Sequence, residues 1–241
     1  AAWADSVERG GGGVAYLARY DPGKWSRYGT RAIPGLDPGQ LGIEDNGLDA
    51  DALGNLWIAI PASGVGRYDG TTWVTWPMTD VLGSAVFSVE IAADGRGGAW
   101  VAGYGAAHLV GGTWRRYSTA DGLGSNAVGA IAVDPRPGQD VVWMATGGSL
   151  SRFDGATWRT FTAADGVPAV PVVSAVVSSR DGSLWLGTGG SRPTDARVAR
   201  FDGTRWRTYG LADGIVGLGV FGLAEAPDGA IWAATAADDR S

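Results

Sequence analysis

The chain has 241 residues, 45% of them apolar, which is enough for one large or two small globular domains with a buried core. The formal net charge of −6 disfavours nucleic acid as a partner, and the absence of Cys excludes disulfides and thiolate metal sites. The 41 glycines and 12 tryptophans lack the three-residue period of collagen, and they indicate many short strands joined by tight turns.

The chain begins with a Gly-rich segment, residues 1–13, and continues with a predicted pair of strands over residues 14–29. The two strands are separated by a Gly-containing turn, which is typical of a β-hairpin because Gly accepts positive φ at little cost. The first residues, around Trp3, also resemble the strand near the C-terminus that contains Trp232. This opening segment is the one feature that does not fit a simple count of repeated units.

From the hairpin onwards the chain repeats a unit of about 45 residues that carries two tryptophans. The first Trp of a unit lies in a short apolar run: Trp57, Trp100, Trp143, Trp185 and Trp232. The second Trp is followed three positions later by an aromatic residue: Trp25, Trp73, Trp114, Trp158 and Trp206. Six positions before the second Trp stands a basic or near-basic residue: Arg19, Arg67, His108, Arg152 and Arg200.

Each unit is predicted to form four short strands, which we name A to D. Strand A is apolar and rich in small residues, as in residues 86–94, 127–134 and 220–226. Strand B carries the first Trp, strand C usually ends in an Arg-aromatic-Asp-Gly turn, and strand D carries the second Trp. Four antiparallel strands repeated at this period predict an all-β fold, a β-propeller with one unit per blade.

We predict a single β-propeller domain over residues 1–241 with five blades. Strands C and D open the chain at residues 14–29, and strands A and B end it at residues 219–236, so the two pairs can share one blade. Closure by these terminal strands would remove exposed sheet edges, which promote aggregation. If the segment around Trp3 is a sixth strand B, the chain is instead a segment of a six- or seven-bladed propeller.

The repeat resembles that of the two-component regulator propeller family, whose loose pattern is D-x-x-G-x-L-W-x-G-T, then R-[YF]-D, W-x-x-[YF] and D-G-L. Residues 181–188 and 199–215 carry the pattern most fully, and the resemblance extends over residues 14–236. It implies a β-propeller. In that family such propellers commonly form the extracytoplasmic sensing part of bacterial signalling proteins.

Several reactive residue types occupy repeated positions, which favours structural roles for them. His108, the only histidine, stands in the strand C position held by arginines in the other units. The aspartates of the D-G-L motif and its counterpart are expected to accept turn N–H bonds rather than bind Ca²⁺: Asp80, Asp121, Asp165 and Asp213. The tryptophans are expected to pack between blades, with Trp76 and Trp3 outside the two regular series. We therefore predict no cofactor, no metal site and no catalytic residue, and Ca²⁺ is not favoured.

Glu90 departs most clearly from the repeat, because the aligned positions are Gly47, Ala130, Ala175 and Gly222. Strand A is expected to line the central channel, where two carboxylates could act on a glycosidic bond. A solvated channel wall is the favoured explanation of Glu90. A carbohydrate-active or lyase-type propeller enzyme, with carboxylates in the funnel, is the alternative function.

Binding is expected where the units differ, in loops at one face of the propeller. Residues 188–196 form an insertion between strands B and C, residues 31–42 replace the D-G-L loop, and residues 103–108 set a tyrosine among glycines. We predict that the ligand-binding surface contains Tyr104, Arg192, Asp195 and Trp76, with Glu90 below it in the channel.

The predicted function is non-enzymatic ligand binding, sensing or protein interaction, in an extracytoplasmic (periplasmic or secreted) bacterial location implied by the resemblance. The expected partner is a small molecule, a glycan or a protein, and the chain is expected to belong to a larger chain or assembly. No nucleic acid partner and no direct membrane insertion are expected, because the apolar runs are far shorter than the roughly 20 residues that span a bilayer.

Overall fold

The computed structural model describes residues 2–7, 15–29, 33–36, 47–86, 88–146, 148–168, 172–190, 192 and 194–236. It divides into two compact units, Ala1–Arg116 and Tyr117–Ser241, which are described separately below. Whether the two form the single domain predicted over residues 1–241 stays a prediction, as does the count of five blades.

The first unit contains three antiparallel sheets in chain order. The first sheet has three strands: β1 (Ala2–Val7), β2 (Ala15–Asp21) and β3 (Lys24–Gly29). The second has four and is followed by a short helix: β4 (Leu48–Ala50), β5 (Leu56–Ile60), β6 (Gly64–Tyr68), β7 (Trp73–Pro77) and α1 (Met78–Val81). The third also has four strands: β8 (Glu90–Ala93), β9 (Ala99–Gly103), β10 (Gly105–Val110) and β11 (Thr113–Tyr117).

The second unit contains two complete four-stranded sheets and a terminal strand pair. The first sheet comprises β12 (Val128–Val133), β13 (Val142–Thr146), β14 (Ser149–Phe153) and β15 (Trp158–Phe161). The second comprises β16 (Val172–Ser178), β17 (Leu184–Gly189), β18 (Arg197–Phe201) and β19 (Trp206–Tyr209). The terminal pair is β20 (Gly219–Glu225) and β21 (Ile231–Ala236). The predicted four-stranded unit, in the order A to D, is thereby confirmed.

The terminal pair is attached to β17 through a single residue pair, Gly189 and Gly219. A Cβ added to Gly189 would lie 2.6 Å from the Cα of Gly219, a distance that real Cβ atoms essentially never show. Gly189 therefore needs to be glycine for the two backbones to approach this closely, and a Cβ on Gly219 would be tight, at 3.2 Å from the Cα of Gly189.

The opening segment forms a strand, and this changes the neighbours of the N-terminal hairpin. β1 pairs antiparallel with β2 over its whole length, with Trp3 opposite Arg19. β2 pairs with β3 on its other side, so both of its edges are occupied within its own sheet. The segment around Trp3 is thus a sixth strand B among the described residues, as in the alternative prediction, and a blade shared by residues 14–29 and 219–236 stays a prediction.

The hairpins between strands C and D are held by the aspartate of the Asp-Gly turn. Asp69 accepts backbone N–H bonds from Thr71 and Thr72, both 2.8 Å long. Asp154 and Asp202 accept the equivalent bonds in the second unit. Gly follows each Asp with φ between 94° and 99°, which confirms the predicted reason for the Asp-Gly pair.

The predicted turn role of the D-G-L aspartates is also confirmed in the second unit. Asp121, Asp165 and Asp213 end short 3₁₀ turns and accept the backbone N–H three residues earlier, at 2.8–3.0 Å. The following Gly has φ of 103°, 85° and 93°, respectively. Asp80 differs, because it lies in α1 rather than in such a turn.

Apolar cores lie between consecutive sheets of each unit. In the first unit, Trp57 and Val65 pack with Ile91 and Val101 of the next sheet. In the second unit, Trp143 and Leu150 pack with Leu186 of the next sheet. Among the described residues, no helix is long and apolar enough to cross a membrane.

Candidate functional site

The Trp of strand B stands directly opposite the basic residue of strand C in every sheet that has both strands. The pairs are Trp3 and Arg19, Trp57 and Arg67, Trp100 and His108, Trp143 and Arg152, and Trp185 and Arg200. The guanidinium carbons of Arg67, Arg152 and Arg200 lie 5.6–5.7 Å from the ring centres of their partners. Such cation–π contacts stabilise the strand pair when the ring is buried.

His108 takes the same place by stacking. Its ring lies 4.2 Å from that of Trp100 at an angle of 8°. Its Nε2 lies 2.9 Å from Oδ2 of Asp94, which also accepts N–H bonds from Arg96 and Gly98 in the turn between strands A and B. Burial raises the pKa of Asp94, but these hydrogen bonds outweigh it and hold the pKa below its ordinary value. His108 therefore has the structural role that arginines have in the other units, as the repeat predicts.

The turn between strands A and B supplies an acid to the basic residue in only some repeats. Arg200 is paired with Asp181 at 2.9 Å, as His108 is with Asp94. In the sheet of Arg152, however, the turn acid Asp134 is held by Arg136, through contacts of 2.6 and 2.9 Å. Within the part of the chain that the structure describes, Arg152 has no carboxylate within 4.0 Å.

Tyr104 lies between β9 and β10 as the only residue of that connection. Its side chain is 69% exposed, so the ring is accessible as predicted from the flanking glycines. The corresponding connections in other sheets are longer, residues 61–63 and 190–196 among them. Tyr104 is therefore presented at a point where this unit differs from its neighbours.

Trp76 and Glu90 lie inside the first unit. Trp76 stacks on Trp57, with ring centres 6.1 Å apart at 11°, and meets Trp114 edge-on at 5.7 Å. Its place three residues after Trp73 is that of Phe161 and Tyr209, which pack on Trp143 and Trp185, so the repeat position itself indicates packing. Glu90 is only 9% exposed, and the expectation of a solvated side chain is wrong.

Arg192 and Asp195 lie in the second unit, in the loop between β17 and β18. Asp195 accepts the N–H of Arg192 at 2.9 Å and returns its own N–H to the Arg192 carbonyl at 2.9 Å, so its carboxylate closes the loop. The loop is fixed to the start of β20 by hydrogen bonds from Gly190 to Leu218 and from Ala196 to Gly217. Arg192 is exposed, and so is Thr194 of the same loop.

The second unit also holds a crevice that was not predicted from the sequence. It has a volume of about 560 Å³ and lies between the sheet β12–β15 and the sheet β16–β19. Its walls include three arginines and four aspartates: Arg136, Arg152, Arg159, Asp134, Asp165, Asp181 and Asp202. Buried aromatic rings of Trp143, Phe161 and Phe201 form its floor. Arg152 and Arg159 occur at strand positions that look structural in sequence, so only the packing of two sheets reveals the crevice.

Most described carboxylates with a shifted pKa are held in the charged form. Hydrogen bonds from Ser183 lower the pKa of Asp181 to about 2, and backbone N–H bonds from Arg205 and Thr204 lower that of Asp202 to about 2. Asp49 on β4 is the exception, because burial raises its pKa although the N–H groups of Ala93 and Ala50 oppose the shift. The bond from Ala93, 2.8 Å long, ties β4 to β8. These acids suit hydrogen bonding better than proton donation.

No protein-family model matches the sequence, and no curated protein matches it. Among solved structures, the chain is similar to the extracellular domain of BT3049 of B. thetaiotaomicron, described as a hybrid two-component system, with a TM-score of 0.62 and 20% identity over 94% of this chain and 32% of that one. PorZ of Porphyromonas gingivalis, a surface component of the type-IX secretion system, gives 0.60 and 17% over 92% and 35%. YCF48 from Cyanidioschyzon merolae gives 0.58 and 15% over 95% and 76%.

These likenesses, at 20% identity or less, show the fold. The chain spans about a third of the length of the first two structures. The sequence repeat, the four-stranded antiparallel sheets and the neighbours all indicate a β-propeller, and the neighbours include extracellular domains of proteins described as two-component systems. The chain is a β-propeller protein, in agreement with its resemblance to the two-component regulator propeller repeat.

Proposed function

We propose that this chain is a non-enzymatic binding and sensing propeller that works outside the cytoplasm. The observation that carries the proposal is that repeated side chains contact one another, whereas two side chains at variable connections are exposed. The repeated Trp, Arg and Asp side chains contact one another within the sheets and turns, whereas Tyr104 and Arg192 point outward from the connections that differ between units. Function on a repeat scaffold is concentrated at such variable connections.

The neighbours support the proposal at the level of protein class. Two of them are extracellular domains of proteins described as two-component systems, in which such a domain would meet an external signal. YCF48 has been solved bound to a D1 peptide, so a propeller of similar fold accepts a peptide partner. A glycan, a peptide or a small molecule bound at the outer connections is the function we assign to this chain.

The carbohydrate-active alternative rests on Asp49, whose raised pKa is what a general acid needs. Both of its carboxylate oxygens accept backbone N–H bonds, from Ala50 at 2.7 Å and from Ala93 at 2.8 Å. These contacts favour a structural role that joins two strands, so the binding function is preferred.

Glycan and peptide arrays probed with the wild-type chain, followed by titration of the best binder, test the proposal. Tyr104→Ala and Arg192→Ala are each expected to weaken binding at least about tenfold, because they remove the two exposed anchors. The double variant removes both side chains, one from each unit. Leu211→Ala and Arg205→Ala, also exposed, are the controls. Unchanged affinity in the double variant would overturn the proposed surface.

A further inference from the structure

The crevice of the second unit contains two arginines in an unusual relation. Arg152 on β14 and Arg159 on β15 are direct cross-strand partners. Like charges placed opposite each other in an antiparallel pair destabilise the sheet unless something neutralises them. Each guanidinium also covers an aromatic ring, Arg152 that of Trp143 at 5.7 Å and Arg159 that of Phe161 at 4.2 Å, so both are held in place.

The neighbouring sheet has an equivalent pair of arginines, one of which forms an ion pair with an aspartate. Arg200 stands opposite Arg207, but Asp181 contacts Arg200 at 2.9 Å. In the crevice the corresponding acid is Asp134, which forms its ion pair with Arg136 and not with Arg152. Arg159 meets Asp165 at only 3.5 Å, with the arginine side chain 66% exposed, and such a pair is weak. Arg152 therefore makes no ion pair within 4.0 Å in the part of the chain that the structure describes, and Arg159 makes only the weak pair with Asp165.

The carboxylates of the crevice are each engaged in hydrogen bonds within the protein, and these bonds leave their negative charges in place. Asp134 is bound by Arg136, Asp181 by Ser183 and Arg200, and Asp202 by backbone N–H groups of its turn. All three residues line the same cavity, where a carboxylate oxygen can accept further hydrogen bonds from hydroxyl or amino groups of a ligand.

We propose that the crevice binds a small carboxylate that also carries hydrogen-bond donors, an acidic sugar or an acidic amino acid. Its carboxylate lies between Arg152 and Arg159, whose planar guanidinium groups match carboxylate geometry, and its donors reach Asp181 and Asp202. The volume of about 560 Å³ suits a ligand of this size. This inference deepens the proposed binding function, and it uses none of the residues of the outer connections.

Calorimetric titration with D-glucuronate, L-glutamate and neutral D-glucose at low salt tests the inference. Glucuronate or glutamate is expected to bind at least about tenfold more tightly than glucose, and the better of the two identifies the ligand class. Binding should weaken with added salt, as expected for a charge-assisted contact. Equal affinity for glucose and glucuronate, or no binding of either acid, would overturn the inference.

Arginine variants locate the site. Arg152→Gln and Arg159→Gln are each expected to weaken binding of the acid at least about tenfold. Arg207→Gln, the matched change in the neighbouring sheet, should leave it unchanged. Arg159 is largely exposed, so Arg159→Gln remains informative if Arg152→Gln fails to fold. If neither acid binds while the wild-type chain still binds an array ligand through Tyr104 and Arg192, this inference fails and the proposed function stands.

Discussion

At the scale of single residues, the Trp and basic residue that face each other across strands B and C link the repeat to its stability. The Trp buries a large apolar surface, since Trp57, Trp100 and Trp143 are 0–7% exposed. The basic side chain covers the ring, and His108 and Arg200 also contact the acid of the turn between strands A and B. This arrangement explains why a lone histidine need not indicate catalysis.

Substitution of His108 tests the shared role. His108→Ala should lower the free energy of unfolding by about 2 kcal/mol, because Trp100 loses its cover and Asp94 loses a partner. His108→Arg should stay within about 0.5 kcal/mol of the wild type, because arginine fills this position in the other units. Denaturant unfolding measures both. A neutral His108→Ala would contradict the structural role.

The lowered pKa of Asp181 predicts how the free energy of unfolding depends on pH. Its pKa is about 2 in the folded chain and about 3.9 in an unfolded one. Its contribution to the free energy of unfolding is therefore complete above the unfolded pKa and is lost as the pH falls towards 2. Asp181→Asn should flatten the fall in unfolding free energy over this pH range. Asp228→Asn, in the equivalent turn, is the control, because Asp228 makes only the bond from the Ala230 N–H. Identical pH profiles for wild type and Asp181→Asn would exclude the effect.

At the scale of elements, neighbouring sheets are joined by side chains that reach from one turn to the next. Arg180, after β16, contacts Glu225 at 3.3 Å, and its guanidinium donates to the carbonyls of Ala226 and Pro227 beyond β20. In the first unit Arg116 donates to three carbonyls of α1 in the same way. Such links add directional contacts to an otherwise apolar packing.

Removing the link of Arg180 should loosen the terminal strand pair. Arg180→Ala is expected to cost about 1 kcal/mol of unfolding free energy, and Arg180→Lys about half of that, because lysine lacks the planar fork that reaches several acceptors. Arg205→Ala, also exposed, serves as the control. Amide hydrogen exchange of β20 and β21 should rise in Arg180→Ala before that of β13, and uniform exchange would contradict the link.

Repeat spacing predicts these elements well and their exceptions poorly. The strand order, the Asp-Gly hairpins and the D-G-L turns follow from local chemistry, so periodicity suffices to place them. The ion pair between Asp134 and Arg136 depends on the geometry of one longer turn, residues 134–141. The spacing of the repeat does not predict this pair. The interior position of Trp76 follows from its place in the repeat. Other units have Tyr or Phe at this place, and the unusual Trp suggested a role in ligand binding.

At the scale of the whole molecule, the last strand pair differs from the sheets before it. Trp232 on β21 is 70% exposed, whereas its counterparts Trp57, Trp100 and Trp143 are buried. In those counterparts a basic residue on strand C covers the ring, and Trp232 has no such cover among the described residues. Phe221 on the adjoining strand is 60% exposed as well. An exposed apolar edge of this kind favours association with a further strand.

The central claim is that repeated side chains stabilise the propeller and that the variable connections carry binding. The most direct measurement is the free energy of unfolding of three variants by chemical denaturation. Trp143→Ala is predicted to lose about 3–5 kcal/mol, because it empties a buried aromatic position. Tyr104→Ala and Arg192→Ala are predicted to stay within about 0.5 kcal/mol of the wild type. A loss at Tyr104 or Arg192 comparable to that at Trp143 would contradict the claim.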